Sequence, residues 1–267
     1  MKISFIGGGT MGEALIKSLI SKGIATPEEI TVSDVSQKRR DILAKNYGVN
    51  TTASNPEATK KAQVIILAVK PQDLTTALHE IKKLTSKQLV ISIAAGVPME
   101  TLRQGLNHDC LVRAMPNMPA QIGEGMTVWT ASAEVSQNQK ELAKSILSAC
   151  GEEIYVNNEK YIDMATALSG SGPGYIFLII EALTDAGVHI GLPRDIAEKL
   201  VIETMIGSAR AVKTTSKHPA ELKNMVTSPG GTTTEGILQL ETGGLRSLLL
   251  RAVIAAYDKA KSLGTKK

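Results

Sequence analysis

Short apolar runs alternate with helical patterns along the first half of the chain, which predicts a parallel sheet wound with helices. Lys2–Ile6 reads as a strand, followed by a helix over Thr10–Lys22 with apolar Met11, Ala14, Leu15 and Leu19. Ile30–Asp34 predicts the second strand and Ser36–Asn46 a charged helix. Gln63–Val69 is an apolar run bounded by polar residues, the pattern of a strand buried on both faces. A helix over Pro71–Lys83 carries proline in its first turn, where the missing N–H has no partner to lose. Leu89–Ile93 and Cys110–Met115 are further strands, with a short helix at Met99–Gly105 between them. Thr127–Thr130 and Ile154–Val156 flank a helix at Ser136–Ala149.

After Asn157 the strand-like runs nearly vanish. Helical patterns take over at Glu159–Leu168, Gly174–Ile190, Arg194–Thr214, Pro219–Met225 and Leu245–Leu263. The expected fold class is therefore α/β: an N-terminal Rossmann-like, doubly wound sheet over residues 1–157, then an all-helical domain over 158–267. The helix that begins Gly174-Tyr175-Ile176-Phe177 is apolar nearly all round before Glu181 and Asp185, and such a helix needs burial on every side. A region of roughly 110 residues does not easily supply that alone, so a helical dimer interface is expected; the alternative is the central helix of a monomeric bundle. The Lys-rich end is read as a frayed tail.

Composition narrows the function. Of 267 residues, 43% are hydrophobic and 21% charged, which excludes disorder. Aromatic residues make up only 3%, arguing against a base-stacking platform, and a net charge of +4 is too diffuse for a nucleic-acid binder while suiting anionic small molecules. Cys110 and Cys150 have no CxxC neighbour, and His79, His108, His189 and His218 show no metal-ligand spacing, so neither a disulfide framework nor a metal site is expected. With no signal-peptide pattern and no long apolar stretch, the expected location is the cytosol, away from membranes.

Gly7-Gly8-Gly9-Thr10-Met11-Gly12 fits G-x-G-x-x-G between a strand and a helix. In that setting Gly7 permits the tight turn, Gly9 lets backbone approach a pyrophosphate, and Gly12 lets helix and strand pack closely. The helix N-terminus then aims unpaired N–H groups at the phosphates. Asp34, at the end of the second strand, stands where an acid would accept from a ribose 2′-hydroxyl and favour NAD. Ser33, Lys38, Arg39 and Arg40 stand close by and suit a 2′-phosphate, so NADP remains the equal alternative. Three further strand ends, Ala68-Val69-Lys70-Pro71, Ala94-Ala95-Gly96 and Met115-Pro116-Asn117-Met118-Pro119, present small or polar groups. Small residues let a nicotinamide ribose lie against backbone, Lys70 adds a cation, and Asn117 either hydrogen-bonds the ribose or carboxamide or pins its own turn.

Two segments in the helical part break helix rules. Ser169-Gly170-Ser171-Gly172-Pro173-Gly174 interrupts two helices with small residues. Ser228-Pro229-Gly230-Gly231-Thr232-Thr233-Thr234 sets hydroxyls and glycines at a helix start, a pattern suited to a small carboxylate or phosphate, with capping as the alternative. Neither loop holds a general acid. A cyclic imine that arrives protonated would need none in the hydride step, and Thr233 would orient its ring nitrogen.

The chain resembles the pyrroline-5-carboxylate reductase family over nearly its full length. FIGGGTMGEA, LAVKPQ, SIAAGV, RAMPNMPA, SGSGPGY, GLPRDIA, HPAELKNMVTSPGGTT and LETGGLRSLLLRAV stand in the family's order. The resemblance implies a helical dimerisation domain, homodimers often assembled into rings, and reduction of (S)-1-pyrroline-5-carboxylate to L-proline by NADPH or NADH. By motif, Ile6 to Met11 would cradle the dinucleotide, Ser33 would sit at the adenosine phosphate and Asn55 near the adenosine. Ala68 to Pro71 and Ala94 to Gly96 would run along the cofactor. Ser228, Gly230, Gly231, Thr232, Thr233 and Thr234 would hold the substrate carboxylate, with Thr233 at the imine nitrogen, and the loop would come from the partner subunit. Glu159 and Thr166 match a helix lining that pocket. Two departures stand out: Met118 replaces the threonine many relatives carry, and Val35 follows Asp34 where some bacterial relatives have a basic residue. The other readings are a reductase of another cyclic imine, a β-hydroxyacid enzyme using Lys199 or Lys223, and a non-catalytic dinucleotide-binding regulator.

Overall fold

The computed structural model describes residues 1–81, 84–85 and 87–264. The chain divides into two compact units, one of Met1–Ser171 joined by the final segment from Ala256, the other of Gly172–Ala255.

An eight-stranded sheet organises the first unit: β1 (Ile3–Ile6), β2 (Ile30–Ser33), β3 (Asn50–Thr52), β4 (Val64–Leu67), β5 (Leu89–Ser92), β6 (Leu111–Met115), β7 (Gly125–Ala131) and β8 (Gly151–Tyr155). In space they run β3-β2-β1-β4-β5-β6-β7-β8, parallel throughout except where β7 turns antiparallel to β6. Every residue of β1, β4 and β5 is buried, as strands covered on both faces must be. Alternation sorts the side chains into two cores. Ile3, Phe5, Val64, Ile66 and Val112 face a cluster with Leu15, Ile16 and Leu19 of α1 (Thr10–Ser21), while Ile6, Ile65, Leu67 and Val90 face the opposite cluster. Three helices cover that second face: α3 (Asn55–Thr59), α4 (Pro71–Glu80) and α5 (Met99–Leu106). They contribute Ala58, then Leu74, Ala77 and Leu78, then Leu102 and Leu106. The charged α2 (Gln37–Tyr47) buries only Leu43, and α6 (Gln137–Leu147) adds Ala143, Ile146 and Leu147 to the first core.

Several boundaries differ from the pattern reading. β3 and α3 are too short for periodicity to register; α3 starts where Ser54 Oγ accepts from the Glu57 N–H at 3.3 Å. β7 extends from Gly125 to Ala131, and β8 opens at Gly151, earlier than the apolar residues indicate. Helix α4 closes at Glu80; Lys82 and Lys83, at the end of the expected helix, lie outside the described residues, as does the end of the Lys-rich tail. The expected helix at Glu159–Leu168 is α7 (Lys160–Ala165) followed by a π-helical turn over Thr166–Gly170, in which the Ser171 N–H reaches the Thr166 carbonyl at 2.8 Å.

The second unit is helical: α8 (Gly172–His189), α9 (Arg194–Thr215), α10 (Pro219–Met225), α11 (Thr232–Thr242) and the first half of α12 (Leu245–Gly264), whose end belongs to the first unit. Helix α8 meets α9 where Gly187 lies against Ala197, so close that a β-carbon on Gly187 would sit 3.0 Å from that of Ala197. Thr184 and Ala197 are the buried residues of this pair of helices. Ile176, Phe177, Leu178, Leu183, Ile196 and Leu200 are exposed on the single chain. The helix that the sequence marks as needing burial on every side does not obtain it within its own unit.

Candidate active site

Register aligns the strand ends along one edge of the sheet: Ile6 pairs with Ser33 and Leu67, Leu67 with Ser92, and Ser92 with Arg113. From β1 the chain winds outward to β2 and β3, then returns to β4 on the other side and continues to β5 and β6. That reversal between β1 and β4 is the switch point at which open α/β sheets leave a crevice for ligands.

Gly7 and Gly9 in the turn between β1 and α1, and Gly12 in the first turn of α1, divide by what surrounds them. Gly7 has φ +99°, its N–H donates to the Ser33 carbonyl at 2.8 Å, and a β-carbon there would lie 2.8 Å from the Ala68 carbonyl oxygen. A β-carbon on Gly12 would lie 2.7 Å from the Gly7 oxygen. Both glycines are therefore demanded by the chain's own packing. Gly9 is not: its backbone is extended at φ −68°, and a β-carbon there would meet nothing within 4 Å. Gly9 is also the N-cap of α1 and makes no side-chain cap bond, so the N–H groups of the first turn around Thr10 and Met11 open onto the same space. Open N–H groups at the positive end of a helix are what an anion such as a pyrophosphate requires.

Around it, each expected cofactor contact has a definite place. Ser33 is buried and its hydroxyl donates to Asn55 Oδ1, while Asn55 Nδ2 donates to Glu80 Oε2 at 2.7 Å. Asp34 accepts from the Gly8 N–H through Oδ2 and from the Ser36 N–H through Oδ1, each at 2.8 Å. Arg39 donates to the Gly8 carbonyl and to Glu13 Oε2, and Arg40 donates to the Asp34 carbonyl at 2.5 Å. Lys38 is exposed. Ala68 and Val69 are half-buried beyond β4, and exposed Lys70 precedes Pro71 as the N-cap of α4.

Beyond β5, Ala94 is buried and Ala95 half-buried. Gly96 (φ +72°) has its missing β-carbon replaced by α12, for a side chain would begin 2.6 Å from the β-carbon of Leu263. Its smallness serves helix packing. Asn117 pins its own surroundings: Oδ1 accepts from the Met126 N–H at 2.8 Å and Nδ2 donates to the Ser169 carbonyl at 3.1 Å. Met118 follows on the surface. A groove of about 590 Å³ lined by Lys2, Glu28, Asn50 and Lys60 lies around the starts of β1 and β2 and includes none of these residues.

Glu159 and Thr166 hold internal bonds. Glu159 Oε1 accepts from the Met99 N–H at 2.7 Å and from Arg113 Nη1 at 2.8 Å, and Arg113 Nη2 donates to Asp163 at 2.5 Å. The Thr166 hydroxyl donates back to the Ile162 carbonyl at 2.8 Å. Arg113, fully buried in β6, escaped the pattern reading; its one signal is a charge inside the apolar run Leu111-Val112-Arg113-Ala114-Met115. Partial burial raises the Glu13 carboxyl, but hydrogen bonds from Arg39 and Tyr47 more than offset it and hold the group below the usual carboxylate range.

In the second unit, Ser228–Thr234 folds into a compact turn on which α11 begins. The Ser228 carbonyl accepts from the Gly231 N–H at 3.0 Å and from the Thr234 hydroxyl at 2.7 Å. Gly230 has φ +67°, and a β-carbon on Gly231 would collide with Ser228 Oγ at 2.4 Å. The N–H groups of Thr234 and Glu235 return to the Gly231 carbonyl, while exposed Thr232 and Thr233 occupy the first two helical positions, whose N–H groups have no intrahelical acceptor. Gly231, the N-cap, makes no side-chain cap bond. Capping thus accounts for Thr234 but leaves Thr232 and Thr233 facing solvent with hydroxyl and N–H donors, a set that suits a carboxylate.

Comparison with known proteins accounts for both regions. Residues 159–263 match the pyrroline-5-carboxylate reductase dimerisation model, and residues 2–96 match the model described as NADP oxidoreductase coenzyme F420-dependent. A pyrroline-5-carboxylate reductase of Synechocystis is 45% identical over 266 residues, covering 100% of this chain and 99% of its own. The solved reductase of Coxiella burnetii superposes with a TM-score of 0.90 at 40% identity, covering 99% of each chain. The Plasmodium falciparum enzyme, solved with NADP bound, gives 0.91 at 34% identity, covering 99% of this chain and 98% of its own. With identity of this order over nearly the whole length of each chain, the chain belongs to the pyrroline-5-carboxylate reductase family.

Proposed function

We propose that this chain reduces (S)-1-pyrroline-5-carboxylate to L-proline at the expense of NADPH or NADH, the last step of proline biosynthesis. The observation that carries the reading is Gly9: the chain's own packing does not require a glycine there, yet its open face lies at the sheet's switch point in a chain that matches the reductases over its whole length. When bound, the reduced nicotinamide supplies a hydride.

Gly9, Thr10 and Met11 hold the pyrophosphate through backbone N–H groups and the dipole of α1, while Gly7, Gly8 and Gly12 shape the turn that presents them. Ala68, Val69, Lys70 and Pro71 wall the cofactor on the β4 side, backed by Ile6 in the core beneath them, Ala94 and Ala95 wall it on the β5 side, and Ser33 and Asn55 lie toward its adenosine. Gly96 and Asn117 act one step back, through helix packing and through the turn that Asn117 pins. Ser228, Gly230, Gly231, Thr232 and Thr234 shape the anion site for the substrate carboxylate. The Thr233 hydroxyl orients the ring nitrogen. Because that nitrogen arrives protonated, the C=N π electrons become its lone pair as hydride reaches the carbon, and no protein acid is required in the step. Glu159 and Thr166 keep the π-helical turn and its neighbours in place.

We further assign residues 1–157 to the dinucleotide and 158–267 to substrate and dimerisation. The working unit is a homodimer, with rings of dimers as the larger assembly, and the place of work is the cytoplasm. Among the described residues no helix is long and apolar enough to cross a membrane.

The test is direct. Purified protein with pyrroline-5-carboxylate should consume reduced nicotinamide, followed at its absorbance maximum with NADPH and NADH in parallel. Thr233→Ala should lose roughly a hundredfold in kcat/KM while binding the dinucleotide as before. No consumption with either donor, or wild-type turnover in Thr233→Ala, overturns the assignment.

A further inference from the structure

An acid at the end of the second strand is ordinarily read as the ligand of an unphosphorylated ribose. In this chain both oxygens of that acid are already engaged by backbone. Asp34 Oδ2 takes the Gly8 N–H and Oδ1 takes the Ser36 N–H, at 2.8 Å each. Gly8 is held from its other side as well: Arg39 Nε donates to its carbonyl at 2.8 Å, with Nη2 on the same oxygen. That guanidinium is held in turn by Glu13 Oε2 at 2.7 Å, and Glu13 Oε1 accepts from Tyr47 at 2.9 Å. Room beneath Gly8 is short, since a β-carbon there would meet the Leu43 side chain at 2.5 Å and Asp34 Oδ2 at 3.4 Å. The middle residue of the turn is thus gripped by both of its backbone polar groups, and the grip ties α1, α2 and the end of β2 together.

We infer that Asp34 and Arg39 are positioning residues that fix the glycine turn for either dinucleotide, and that neither reads the difference between a ribose 2′-hydroxyl and a 2′-phosphate. The inference rests on the reductase reading above. It follows from commitment: turning Asp34 toward a ribose would draw its carboxylate from the part-buried Gly8 N–H and release the Ser36 N–H to water, and moving Arg39 to a phosphate would abandon both the Gly8 carbonyl and Glu13. Asp34 is then no marker of NAD preference, and the neighbouring Arg39 no marker of NADP.

Calorimetric titration of the full-length protein with NADP⁺ and with NAD⁺ tests this without turnover, alongside steady-state KM values for the dinucleotide and the imine. Asp34→Ala and Arg39→Ala should each raise both dissociation constants roughly tenfold, as loss of a charge-assisted backbone bond would. The ratio between the two cofactors should stay within about twofold of wild type, below the threshold of a lost ribose or phosphate contact. The dinucleotide KM should follow, with kcat and the imine KM held, whereas a general loss of structure would move all of them. Asp34→Asn, which keeps the shape and one acceptor, should recover part of the affinity. Arg39→Lys should not, because one ammonium cannot span Gly8 and Glu13 as the guanidinium does.

A ratio shifted about tenfold or more by Asp34→Ala toward NADP⁺, or by Arg39→Ala toward NAD⁺, overturns the inference. So do variants that bind both cofactors as the wild type does. A wild type that binds neither dinucleotide removes the reductase reading itself, and this inference with it.

Discussion

Arg113 offers the sharpest test of how the first unit is held together. Its side chain is 2% exposed, whereas those of Glu159 and Asp163 are 35% and 24% exposed, so the desolvation falls on the arginine and its carboxylates stay partly wet. Nε is buried without a hydrogen-bond partner. Removing one carboxylate strands a buried cation on a single partner. Breaking a fully buried pair costs about 3–5 kcal/mol, but Arg113 keeps Glu159 when Asp163 is lost, so Asp163→Ala should cost about 2–3 kcal/mol. In a domain of this size that lowers the melting temperature by roughly 5–10 °C. Arg113→Met keeps most of the volume and removes the buried charge together with its orphaned Nε, and should cost about 1 kcal/mol or less. Within the Arg113→Met background, Asp163→Ala should then cost only a few tenths, since the partner it served is gone. Calorimetric melting of the four proteins at one fixed concentration measures the cycle, fixed because dimerisation couples to stability. Equal cost of Asp163→Ala in both backgrounds would refute the network. So would an Arg113→Met protein less stable than Asp163→Ala.

The glycine turn separates packing from binding. Gly9→Ala should leave the melting temperature within about a degree while weakening NADP⁺ binding at least tenfold, and Gly12→Ala should cost about 1–3 kcal/mol, because its β-carbon would lie 2.7 Å from the Gly7 oxygen. Thermal melts beside cofactor titrations check both, and a stable Gly9→Ala protein that binds normally would remove Gly9 from the cradle. Leu178→Asp, at a position 64% exposed on the single chain, should shift the protein to a monomer by light scattering and abolish turnover; a fully active dimer would place the interface elsewhere. Burial pushes both the Cys110 and Cys150 thiols up, so they should resist a thiol-disulfide reagent at pH 8 until denaturant is added; rapid labelling of the native protein would contradict their burial.

Strong periodicity made the architecture legible. The runs that became β1, β4 and β5 are apolar on both faces because both faces are covered, and a pattern of that kind needs no tertiary knowledge. What escaped was short or non-local. Asn50–Thr52 is a strand because β2 supplies its partner, and nothing in three polar residues announces that. The π-helical turn after Ala165 depends on bonds one residue longer than the α-helical repeat, which a 3.6-residue reading absorbs into an ordinary helix. Arg113 was visible only as an anomaly, since its carboxylates stand 46 and 50 residues further along the chain.

The site divides in the same way. Where a residue type is demanded by the local backbone, as at Gly7, sequence and geometry agree on the reason. Where a residue is chosen for its side chain, position alone misleads, because the fold competes with the ligand for the same polar atoms. Asn117 could have served a carboxamide, yet its amide spans Met126 and Ser169; Gly96 could have faced a ribose, yet Leu263 fills that space. Thr233 and Gly9 stand apart from these. Thr233 is exposed at the start of α11, where the first N–H groups have no intrahelical acceptor, and Gly9 omits a side chain where nothing in the fold needs the room. A donor and a vacancy that folding does not consume are what binding can use, and this is why the proposed function rests on these two positions before residues already committed within the fold.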